Sequence, residues 1–186
     1  MNKCISVGGG VDALGTLLDE HKIIGTTIVL LNDAVKRLQS GKELPPGFFE
    51  EVFGVLKDFI DRCHHGKEEG ALFPLIKAKG PTEAGTVSLL LEEHEKGRRF
   101  VEAMGEAAGK KDKAGMIGSI NGYTTLIIQH IRRENMIFPA WINPLPDETK
   151  KKMSKSFDEI EARSIGLGSR QEYLRTVEKL KDEMHA

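Results

Sequence analysis

Six residues of this chain have the types and spacing to hold metal: His21, His64, Glu68, His94, His130 and Glu134. His64 and Glu68 are four positions apart, as are His130 and Glu134, which puts each pair on one face of a helix. Imidazole nitrogen and carboxylate oxygen are ligands for iron, manganese or zinc. A lone core histidine needs only a hydrogen-bond partner, but two buried carboxylates without a cation would each cost on the order of several kcal/mol. A metal turns that penalty into binding energy. Six donors divide evenly into one glutamate and two histidines per ion, so with bridging carboxylates and a solvent oxide they suit two ions better than one.

These residues need helices to bring them together, and the hydrophobic pattern supplies them. Leu14, Leu17, His21, Ile24, Ile28, Leu31, Val35 and Leu38 recur at alternating steps of three and four. The same seam runs through Val87, Leu90, His94, Gly97, Val101 and Met104, and again through Met116, Ile120, Tyr123, Ile127, His130, Glu134, Ile137 and Trp141. Each is the core-facing stripe of a bundle helix. In the stretch 47–78 the apolar residues are Phe49, Val52, Phe53, Leu56, Phe59, Ile60 and Cys63. At about 100° per residue their mean direction lies about 90° from His64 and about 170° from His65. That makes His64 and Glu68 the inward pair and sets His65 on the polar face with Asp58, Asp61 and Arg62.

Breaks at 40–47, 79–82, 109–115 and 143–146 carry proline, or glycine with lysine. Connections this short favour antiparallel neighbours. The expected fold is all-α, an up-down-up-down four-helix bundle over 1–146. One or two further helices in 147–186 pack on the bundle or on a partner subunit of a homodimer. Glycines inside the expected helices (25, 54, 97, 105, 118 and 122) each cost about 1 kcal/mol relative to alanine, unless they permit close helix contact.

A net charge of −1 gives no basic field to draw nucleic acid. No run approaches the ~18 apolar residues of a membrane span. Cys4 and Cys63 make no disulfide framework, which favours a reducing, cytoplasmic setting. Cys63 reads as a small core residue, Glu69 as surface, and Arg98 and Arg99 as reaching solvent or carboxylates.

Four segments, "LLDEHKII" (17–24), "CHHGKEEGALFP" (63–74), "LLEEHEKGRRF" (90–100) and "HIRRENMIFP" (130–139), together resemble the hemerythrin-like, HHE cation-binding family. The resemblance covers about residues 11–141. It implies a non-haem di-iron centre, two oxo- or hydroxo-bridged Fe ions, ligated by His21, His64, Glu68, His94, His130 and Glu134. Counting back from "FP" in the fourth segment to its histidine gives a spacing that His65 reproduces in the second, so the resemblance leaves His65 open as a ligand. Ferritin-type bundles, by contrast, use Glu-x-x-His, a poor match to His-x-x-x-Glu.

The chain departs from oxygen-carrying hemerythrins in two places. Arg98 stands where they have a second histidine, and Glu134 where they have an aspartate at longer spacing. Unless His65 compensates, four histidines remain, which resembles hemerythrin-like sensors and di-iron proteins linked to nitric oxide and iron-centre repair. The expected function is binding of dioxygen, nitric oxide or a related small molecule, with an electron donor as a further partner. The alternative is a di-iron nitric oxide or peroxide reductase, or an iron-donating repair protein. No general acid, nucleophile or substrate pocket is identifiable beyond the metals, which weighs against an enzyme.

Overall fold

The computed structural model describes residues 12–185; Cys4 lies outside them, as does the side chain of His185. The described residues form helices and no strand: α1 (Ala13–Gln39), α2 (48–77), α3 (Pro81–Gly109), α4 (Lys113–Ile142), α5 (Asp147–Ser164) and α6 (Arg170–His185). Local chemistry sets the boundaries. Gly47 supplies the positive φ of 77° before α2, Pro81 opens α3, and the Asp112 side chain accepts a hydrogen bond from the Gly115 backbone N at 3.0 Å to cap α4.

The long helices α1 to α4 form the up-down-up-down bundle, and its interior has three layers. At one end Leu14 and Leu17 of α1 meet Leu72 and Phe73 of α2, Leu90 of α3 and Phe138 of α4. At the other end Ile24 and Ile28 meet Leu56 and Ile60, Val101 and Met104, and Ile120 and Ile127. The histidines and glutamates lie between, so α1 and α3 run from the first cluster to the second and α2 and α4 run back. Burial of the two apolar clusters provides the main driving force; the polar layer must be satisfied by chemistry of its own.

The helix α2 departs from α geometry. It is π-helical over Val55–His65 and again over Glu68–Leu72. Its hydrogen bonds skip a further residue, and each residue turns the chain by roughly 80–85° instead of 100°. The buried row Leu56, Ile60, His64, Glu68, Leu72 recurs every fourth residue. In an α-helix such a row would drift by about 40° per step; the wide coil turns the other way and offsets the drift. The same change corrects the reading of His65. It is not on a polar face: it is 4% exposed and faces the bundle interior beside His64.

The internal glycines differ in what surrounds them, and at Gly97 and Gly105 an added Cβ would make only ordinary contact, at 3.8 Å. A Cβ on Gly122 would come within 2.3 Å of the Phe100 ring, so this glycine is what lets Phe100 lie between α3 and α4. Gly25, Gly54 and Gly118 face open space, and nothing in the packing explains them.

The helices α5 and α6 both pack on the bundle. Met153 and Phe157 of α5 join the first cluster, while Val177, Leu180 and Met184 of α6 join the second. Ile160 of α5 lies against Gly66 and Gly70, where an added Cβ would meet it at 3.4 and 3.3 Å. No described helix is long and apolar enough to cross a membrane.

Candidate metal centre

In the central layer each helix of the bundle contributes a donor. His21 comes from α1, His64, His65 and Glu68 from α2, His94 from α3, and His130 and Glu134 from α4. All are buried, at 5% exposure or less. The six residues singled out by the sequence come together here, joined by His65.

The two glutamates organise the others. Glu68 places Oε1 3.4 Å from His64 Nε2 and Oε2 3.2 Å from His94 Nε2. Glu134 places Oε2 3.2 Å from His21 Nε2 and Oε1 3.1 Å from His130 Nε2. Each carboxylate therefore spans the same two groups of imidazoles: His21 with His64, and His65 with His94 and His130. His65 stacks on His94 with ring centroids 3.8 Å apart, and His94 Nε2 lies 3.2 Å from His130 Nε2. In the sets His21, His64, Glu68, Glu134 and His65, Glu68, His94, His130, the donor atoms lie within 4.8 Å of one another.

Outside this ring every Nδ1 has a partner. His21 Nδ1 meets Asn135 Oδ1 at 2.8 Å, His64 meets Glu20 at 2.9 Å, His94 meets Glu69 at 2.7 Å and His130 meets Glu93 at 2.9 Å. His65 Nδ1 lies 3.5 Å from Asp61. A histidine that donates from Nδ1 to an outer acceptor turns its Nε2 lone pair inward, the arrangement a metal requires. The inward atoms are left without hydrogen bonds: His21 Nε2, His64 Nε2 and both oxygens of Glu68 and of Glu134. Buried polar atoms are normally paired. Orphans that converge in one buried layer fit a cation.

The outer acceptors are what sequence reasoning missed. Glu20 and Glu93 each precede a seam histidine, yet each serves a histidine of another helix. Glu69, expected at the surface, instead meets His94 Nδ1. Arg98 reaches carboxylates, as expected, but these are Asp61 at 2.8 Å and Glu69 at 2.7 Å, so it secures the acceptors of His65 and His94. The repeated "EH" of 20–21 and 93–94 was the available signal. Tyr123 is 2% exposed and, with His65, Gly97 and Arg98, lines a cavity of about 360 Å³ open to solvent. Burial pushes the Cys63 thiol up to about 12, which keeps it protonated at neutral pH.

Without metal, protons substitute for it. Burial alone would lower His130, but the charge of Glu134 and the hydrogen bond to Glu93 raise it to about 10. Glu134 likewise raises His21, and Glu68 and Glu69 raise His94, in both cases against burial. His65 goes the other way, held well below 6.5 by burial and then by the neighbouring imidazoles. Between about pH 6.5 and 10 the folded chain binds more protons than the unfolded one, so metal-free stability falls as pH rises. Below about pH 6.5 only the unfolded chain protonates His65, and stability falls as pH drops. The metal-free thermal midpoint is expected to peak near pH 6.5, and a midpoint still climbing at about pH 9 contradicts this. Metal affinity should rise with pH, because binding displaces those protons.

A four-helix bundle with a buried histidine–glutamate layer defines a metal-binding helical protein. The Hemerythrin HHE cation binding domain matches residues 12–142, and the chain belongs to that family. Curated relatives include uncharacterized proteins from Mycobacterium tuberculosis and Mycobacterium bovis, each 25% identical over 163 residues, covering 84% of this chain and 64% of theirs. The chain thus spans just under two thirds of the length of the curated relatives it matches. No solved structure matches it.

Proposed function

We propose that the central layer holds two iron ions and that the protein binds dioxygen, nitric oxide or a related small molecule there, for sensing, storage or detoxification in the cytoplasm. The observation that carries this is the double span: Glu68 and Glu134 each address both imidazole groups with separate oxygens. One ion would take His21 and His64, the other His65, His94 and His130, with the carboxylates shared. A reduced iron pair would supply electron density and an open coordination position to such a ligand.

The chain's own residues hold the donors and keep water out. The outer carboxylates and Asn135 fix each imidazole in one orientation. Ile24, Ile60 and Ile127, each 1% exposed, wall one side of the layer, and a dry wall slows oxidation of an iron centre. The cavity beside His65 gives a small molecule a way in from solvent. His65 also supplies a fifth imidazole, which Arg98 cannot, and this supports dioxygen among the ligands. A protonated Cys63 offers no thiolate nucleophile, in keeping with a binding role.

The test is a metal count and absorption spectrum of aerobically purified protein, followed by titration of the anaerobic ferrous form with dioxygen and nitric oxide. Near-ultraviolet oxo-bridge bands that respond to either gas support the reading. A preparation free of transition metal, or a spectrum indifferent to both gases, removes it. Consumption of nitric oxide or peroxide over many cycles with an electron donor would replace binding with reductase activity.

A further inference from the structure

A second buried polar cluster lies behind the centre, on the side of His64. Lys67 has no exposed surface, and neither has Glu20; Glu161 of α5 is 2% exposed. The Lys67 ammonium donates to Glu20 Oε1 and, at 2.8 Å, to Glu161 Oε2. The other Glu20 oxygen lies 2.9 Å from His64 Nδ1. From α6, Arg170 Nε meets Glu161 Oε2 at 3.2 Å and Nη1 lies 3.8 Å from Glu20 Oε1. The Gly168 backbone N–H donates to Glu161 Oε1 at 3.1 Å. Glu20, Cys63 and Glu161 are close enough to suit a cation of their own, and the ammonium of Lys67 already serves as that cation.

We propose that Lys67, held by Glu161 and Arg170, is a positioning residue for the half of the centre formed by His21 and His64. This rests on the metal-pair reading above. Two features support it.

The first is energetic. A fully buried ion set is a weak device for stability, since well-packed apolar residues of similar volume do as well or better. Its distinctive product is orientation. Lys67 fixes one oxygen of Glu20, so the other can only face His64, and His64 must then present Nε2 to the metal layer.

The second is asymmetry. The acceptors of His65 and His94, Asp61 and Glu69, have side chains 31% and 32% exposed and belong to the bundle. Glu20 alone among the five acceptors is tied to the C-terminal helices through a buried lysine. His64 is therefore supported from α5 and α6, whereas His65 and His94 are supported from the bundle's rim.

The experiment compares the full-length wild type with Lys67→Met and with the charge-balanced double variant Lys67→Met/Glu161→Gln, each loaded with ferrous iron. The readouts are iron per chain, Mössbauer spectrum and far-ultraviolet circular dichroism. The double variant removes the lysine without stranding two carboxylates, so it covers the case in which the single variant fails to fold. Expected is selective loss: one iron environment weakens about 10–100-fold, as for other changes behind a metal ligand, while the other environment and the helix content persist. A folded double variant that keeps both environments unchanged overturns the proposal. So does loss of both together, which would mark a merely structural role. A wild type that takes up no iron overturns the metal-pair reading as well, whereas normal wild-type uptake with an unaltered variant overturns this proposal alone.

Discussion

Glu134→Ala is expected to strip metal from both halves of the centre. Its two oxygens face His21 and His130, one in each imidazole group. No other carboxylate in α4 lies in the layer. Changes to groups behind a ligand already lower metal affinity about 10–100-fold, so under the proposed iron-pair reading, deleting a carboxylate that both ions would share should exceed 100-fold and leave the protein almost free of iron as purified. His65→Ala offers the contrast. It removes a donor from one group only and should lower iron content by about half. Elemental analysis with absorption spectroscopy checks both. Full iron in Glu134→Ala would remove the shared-carboxylate assignment, and full iron in His65→Ala would return His65 to a packing role.

Removing the metals should destabilise the fold strongly. Six inward donor atoms make no hydrogen bond, and both oxygens of two buried glutamates are among them. A ligand present at ~1,000 times its dissociation constant adds about 4 kcal/mol to stability. For a chain of this size each kcal/mol is worth about 2–4 °C, so chelation should lower the thermal midpoint by roughly 8–16 °C. Calorimetry before and after dialysis against a chelator measures this. Protonated histidines partly replace the lost cations, so the drop should be smaller near pH 6.5 than at pH 9. A midpoint indifferent to chelation would mean that the layer holds no metal in the folded protein.

The sequence disclosed the bundle because its seams are long and regular, and His21, His94, His130 and Glu134 occupy seam positions among aliphatic residues. His64 and Glu68 were found because their row continues the apolar face of α2. The row's true geometry escaped, since a period of 3.6 residues was assumed where the coil is wider. His65 was misplaced for that reason, although its distance from "FP" pointed to it. Glu20 and Glu93 escaped for a different reason. They lie one step off the seam, and which helix such a residue reaches depends on how helices pack, not on its own helix's periodicity. The role of 147–186 was illegible because α5 and α6 carry few apolar residues, and the groups that tie them to the centre, Glu161 and Arg170, look like ordinary surface charges.

The wide coil of α2 also bears on how such a bundle gains or loses a ligand. Every added residue re-phases all that follows it. A one-residue deletion within 55–65 would rotate the downstream part of the helix by roughly 80–85°, re-aiming His64, His65 and Glu68 together without substituting a single donor. Donor number here is a matter of helical phase as well as of residue identity, and two chains with the same aligned histidines can still differ in how many imidazoles reach the central layer.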